Sequence, residues 1–275
     1  MEWPRVKNIL IVLLAIVNVF LLIAYSTSAL RETRAVESMA RDTYEALSGL
    51  GVKIDPEIIP RRANSLFPAR GVWTPEDDAR GFAELLGGDT KNEENGVISY
   101  SGNNGTATVS SDGTFTADIK SNERDADAMC AAVVRCATAL GIELTADPVM
   151  KYSENSRSAD ALQSILGVPV YNCRITAVPG DDGVINVSGK RTPRKLTIMR
   201  GKPPRDVGGL MINLVEELRS EGKSCTVINE LEVGYRAGNT SGADGYRYAL
   251  PIWRMRVDGV DLYIDAQTGK LTSAK

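Results

Sequence analysis

Between Ile9 and Tyr25 the chain carries about 17 consecutive residues that are apolar except for Asn18. The run is a signal peptide or a membrane anchor. Its length stands at the lower limit for a helix crossing a ~30 Å hydrocarbon core. The pattern predicts an uncleaved single-pass anchor over 9–25, with a cytoplasmic tail at 1–8 and with Trp3 and Tyr25 as interfacial aromatics. A cleavable signal peptide is the competing reading, since Thr27 and Ala29 stand at cleavage-like spacing, but such peptides usually have apolar regions of ~7–15 residues. Arg5 and Lys7 on the short side nearly balance Arg31 and Arg34 on the long side, so charge hardly fixes the orientation. Insertion of the short tail inward leaves the bulk extracytoplasmic; a cytoplasmic bulk is the alternative.

Inside this helix Ile11, Ala15, Asn18, Leu22 and Tyr25 follow four-three-four-three spacing and share one stripe. Asn18 brings an amide to that stripe, and Ala15 permits close backbone approach. Such a pair joins helices, at about 0.5–2 kcal/mol per hydrogen bond. A lone tolerated asparagine is the alternative. The expected contact residues are Trp3, Arg5, Lys7, Ala15 and Asn18.

The remaining residues, of 275 in all, suffice for one large domain or two small ones. The balance of 32 basic against 35 acidic residues argues against a nucleic-acid partner. The densest basic cluster, Arg61 to Arg70, is broken by apolar residues and reads as a solvated loop. Histidine is absent, which removes Ser–His–Asp and Cys–His sites and His-ligated zinc together. Cys130, Cys136, Cys173 and Cys225 contain no C-x-x-C pair and read as buried free thiols. Cys173 and Cys225 are also spaced to pair, which sequence does not decide.

A membrane-proximal helix ending at Gly49 or Gly51 and a proline-rich linker account for 26–59. Beyond them a helix followed by antiparallel strands recurs. "TPEDDARGFAELLGG" opens with Thr74 as N-cap and Pro75 in the first turn. Strands at "GVISYSG", "GTATVSS" and "GTFTADIK" follow, joined by the hairpin turns "NNG" and "SDG". "NERDADAMCAAVVRCATALG" is an amphipathic helix, and "SADALQSILG" reads as a shorter one. Strands at "VPVYNCRITAV" and "GVINVSG" come next. A helix in "PPRDVGGLMINLVEELRSEG" leads into the last strands. In "LPIWRMRV", alternation places Trp253, Met255 and Val257 on one face. The expected class is α+β, a transmembrane helix followed by tandem units at 60–200 and 201–275.

No motif here carries chemistry. Ser220 and Lys223 have S-x-x-K spacing but fall in an exposed helix end. Asp77/Asp78 and Asp181/Asp182 lie where capping and turns call for acids. EF-hand, Walker and dinucleotide signatures are missing. No catalytic residue, metal ligand or cofactor is expected, and the chain reads as a non-enzyme. A covert hydrolase acting through Ser220 or an acidic pair is the remote alternative.

The opening Glu2, Trp3, Pro4, Arg5, Val6 and Lys7, running straight into the apolar helix, resembles the YycI/YycH family of membrane-anchored regulators. "ALQSILGVPVYNCRITAVPGDDGVINVSG" and "ALPIWRMRVDGVDLYIDAQTGKL" resemble further parts of it, and the latter also resembles PepSY-type modules. About half the chain is covered, and roughly Ile54 to Lys120 is not. The resemblance implies a non-enzymatic regulator of a sensor histidine kinase controlling cell-wall metabolism. Its implied partners are that kinase, a YycH-like sister regulator and membrane lipid, with Trp3, Arg5 and Lys7 as carried-over positions. A PepSY-like extracytoplasmic inhibitor or protease-regulating module is the alternative.

Overall fold

The computed structural model describes residues 3–60, 66–88, 90–94, 96–123, 125–153, 156–181, 183–192, 194–199, 205–238 and 246–272. Helix α1 (Trp3–Gly49) is one uninterrupted element. Short strands β1 (Lys53–Ile54) and β2 (Ala69–Val72) precede α2 (Ala79–Leu86). Four strands follow: β3 (Thr90–Glu94), β4 (Val97–Gly102), β5 (Gly105–Ser110) and β6 (Thr114–Lys120). Helix α3 (Ala126–Ala139) leads to β7 (Val149–Ser153), β8 (Ser156–Ile165), β9 (Val168–Pro179), β10 (Val184–Lys190) and β11 (Arg194–Ile198). Helix α4 (Val207–Ser220) comes before β12 (Val227–Ala237), β13 (Arg247–Val257), β14 (Val260–Asp265) and β15 (Leu271–Thr272).

Two compact units result, both discontinuous in sequence. The first comprises 1–64, 206–229 and 257–259; the second comprises 65–205, 230–256 and 260–275. In the first, Ala40, Thr43 and Leu47 recur at spacings of three and four and are buried where α1 packs on α4. Gly208 allows that approach, because a Cβ there would collide with the Thr43 hydroxyl. Asp206 caps α4, accepting from the backbone N–H of Gly208 at 3.2 Å and of Gly209 at 3.1 Å. The strand β1 pairs in parallel with the start of β12, Ile54 opposite Ile228.

The second unit is built on a mixed sheet in the order β11-β2-β13-β12-β9-β10-β6-β5-β4-β3. From β9 through β3 the pairing is antiparallel, with Val187 opposite Ala117 and Ala117 opposite Ala107. Side chains of one parity are buried: Ala107 and Val109, Phe115, Ala117 and Ile119, Ile185 and Val187. Helices α2 and α3 cover that face. Phe82 of α2 stacks on Tyr100 at 5.0 Å and meets Phe115 edge-on at 6.3 Å. On α3 the Asp125 side chain accepts from the Ala128 N–H at 2.8 Å, fixing the helix start. The α+β class therefore stands.

Two expectations are corrected. "SADALQSILG" is not a helix but most of β8, paired with β7 and β9. Alanine and leucine favour helix, but pairing on both sides and burial of Ala159 and Ala161 under α3 outweigh that local preference. The transmembrane anchor is overturned as well. Among the described residues no helix is long and apolar enough to cross a membrane. At 1.5 Å per residue, 17 residues rise about 26 Å, short of a ~30 Å core. Beyond Tyr25 the same helix continues through Arg31, Glu32 and Arg34. The expected single-pass extracytoplasmic placement loses its basis with the anchor.

Candidate interaction helix

The two halves of α1 differ in how they are covered. The C-terminal half has a buried stripe against α4. Between Leu10 and Tyr25 the large apolar side chains described are all exposed, from 45% at Val17 to 77% at Tyr25. At 3.6 residues per turn these positions point in every direction around the axis. Apolar exposure on this scale marks an interaction surface, not chance surface composition.

Of the expected contact residues, Trp3 and Arg5 lie on α1, with side chains outside the described residues. Lys7, Ala15 and Asn18 are exposed on the same helix. The Asn18 side-chain N–H donates to the Leu14 carbonyl at 2.9 Å. One donor is thus satisfied within its own helix, which sequence spacing did not reveal. The amide retains a second N–H and an acceptor oxygen.

Farther along, Glu37, Ala40, Arg41, Tyr44 and Pro56 line an open cavity of about 350 Å³. Arg41 sits 3.8 Å from Asp42 and from Glu45, contacts of an exposed and screened kind.

The chemical candidates resolve into structural roles. Ser220 donates to the Glu217 carbonyl at 2.8 Å, while the Lys223 ammonium pairs with Glu221 at 2.6 Å. The two form no dyad. Asp77 accepts from the Thr74 N–H at 2.7 Å, closing a capping box. Asp181 accepts through its backbone carbonyl from Val184 N–H at 3.2 Å, as a turn residue does, and Asp182 lies outside the described residues. The four cysteines are free thiols. Burial pushes the Cys136 and Cys173 thiols up to about 12, the wrong direction for a nucleophile. No group of three potential metal-ligating side chains occurs among the described residues.

Asp78 stands at the start of α2, as the sequence implies, but its side chain makes no cap there. Its carboxylate is fully buried, paired with Arg191 and hydrogen-bonded by the Trp73 indole N–H at 2.9 Å. Arg191 also donates to the Leu140 carbonyl, beyond α3. Arg247 stacks on Trp73, 4.5 Å from the ring centre, and donates to the carbonyls of Ser111 and Asp112 in the β5–β6 turn. The group ties elements distant in sequence together, and the Arg247 Nε–H is buried in it without a hydrogen-bond partner among the described residues. Nothing in the local sequence signals it, because the partners are far apart along the chain.

No protein-family model and no curated protein matches this chain. An uncharacterized protein from Eubacterium rectale ATCC 33656 is similar in structure, with a TM-score of 0.48 and 10% identity over 76% of this chain and 86% of that one. The resemblance to the YycI/YycH regulators is therefore corrected: its N-terminal signature rested on a membrane anchor that the helix does not provide. Kinase regulation through that anchor falls with it.

Proposed function

We propose that this chain is a non-catalytic binding protein that buries the apolar half of α1 against an apolar surface of a protein partner. One observation carries the reading: a helix apolar on every side, joined without a break to a folded unit, with its described large apolar side chains from Leu10 to Tyr25 uncovered. A helix of that kind ordinarily functions buried, and the free energy at stake is large at roughly 25 cal/mol per Å² of apolar surface. Neither lipid nor nucleic acid is required by this reading.

A photo-crosslinking residue in place of Leu22, in the full chain expressed in cells, tests it. Discrete protein adducts of defined mass are expected, and Leu14→Glu should abolish them by placing an unpaired charge in the contact. Adducts with lipid alone, or protein adducts that Leu14→Glu leaves unchanged, would overturn it.

A further inference from the structure

We infer that the partner of this helix is a second copy of the same helix, aligned in parallel about Asn18; this rests on the binding reading above. Ile11, Ala15, Asn18, Leu22 and Tyr25 form a seven-residue repeat of alternating four- and three-residue steps, the seam on which two helices supercoil. All five positions are exposed along a continuous helix. In a parallel pair, like positions share a layer, so Asn18 meets Asn18. A side-chain amide is both donor and acceptor, which makes it complementary to itself across a two-fold axis.

Asn18 is prepared for that role. One of its N–H groups is taken by the Leu14 carbonyl at 2.9 Å, which orients the amide. Its second N–H and its oxygen then remain for the other copy. In an antiparallel pair the two series of seam positions alternate, so Asn18 would oppose Ala15 or Leu22. Its amide would then be buried without a partner, which disfavours that arrangement. Ala15, one turn from Asn18, lets the backbones approach closely enough for the amides to meet. A polar residue at one seam position lowers stability and fixes register.

The test uses the full chain with single cysteines introduced along the helix, read as disulfide-linked dimer after mild oxidation. The wild-type protein supplies the background, since Cys136, Cys173 and Cys225 are buried. Ala15→Cys and Leu22→Cys should crosslink several-fold more than Leu13→Cys and Phe20→Cys, which lie on the opposite side. Adding Asn18→Leu should preserve association while bringing the four yields near parity. Equal crosslinking before Asn18→Leu is added would overturn the parallel seam. A monomer that still forms protein adducts at Leu22 would overturn self-pairing and leave the binding reading intact. A monomer adducted only to lipid would overturn both.

Discussion

Asp78 and Arg191, 113 residues apart in sequence, form a two-pronged ion pair with both side chains 1% exposed. The Arg191 Nε–H donates to one carboxylate oxygen at 2.8 Å and a terminal N–H donates to the other at 2.7 Å. A pair this deeply buried gains less than its geometry suggests, because both charges have lost their water. Removing one partner is another matter, since the survivor stays charged and buried.

Asp78→Ala should therefore lower unfolding free energy by about 3–5 kcal/mol. The double variant Asp78→Leu/Arg191→Met should lose much less, both charges having gone. Urea unfolding of the two variants decides it. Equal losses would mean that packing around the pair, not uncompensated charge, sets the cost.

Local features were legible in the sequence. Alternation in β13 and the "NNG" and "SDG" turns place strands correctly; Thr74 caps a short 3-10 turn, Pro75–Asp78, just before α2, and Gly51, at positive φ, follows the end of α1. What escaped was set by contacts distant in sequence. β8 is a strand because β7 and β9 flank it, and Asp78 looks like any acid at a helix start until Arg191 arrives. The apolar run of α1 was visible at once, but its composition could not say what covers it. The stripe through Asn18 was visible too; the bond to Leu14 depends on a rotamer and was not.

Trp253 tests the alternation reading directly. It is 3% exposed, between buried Ile252 and the equally buried Met255 and Val257 farther along the strand. Its indole N–H is buried without a hydrogen-bond partner among the described residues. Trp253→Ala should cost about 3–5 kcal/mol through the cavity left behind. Trp253→Phe keeps most of the ring and removes the unpaired donor, so it should cost less than about 1.5 kcal/mol. Thermal unfolding of both variants measures the contrast; similar losses would show that the indole N–H has a partner after all.

The thiols provide a reading of burial by chemistry. With Cys136 and Cys173 pushed up to about 12 by burial, neither supplies thiolate at pH 8, where a free cysteine near 8.5 is partly ionised. Native protein should leave both unmodified by a disulfide-exchange reagent, while denatured protein should react at all four cysteines. Mass spectrometry after native labelling locates the modified sites. Fast native labelling of Cys136 would contradict the packing of α3 on the sheet.

Acid should act on the second unit through Asp160. Burial works against ionisation of this carboxyl, but the Lys151 ammonium, 2.7 Å away, and Arg174, 3.4 Å away, outweigh it and hold the group below the usual carboxylate range. A depressed folded-state pKa means that the unfolded chain takes up the proton first. The pair's contribution is therefore complete above the unfolded value of about 3.9 and is lost as pH falls through the lower folded value. Lys151→Met should cost about 1 kcal/mol at pH 7, modest because the lysine is 55% exposed and screened. That difference should shrink steadily below about pH 4, as Asp160 becomes neutral in both proteins. Urea unfolding of wild type and variant at several pH values measures it, and a gap independent of pH would show that Lys151 acts through packing and not through charge.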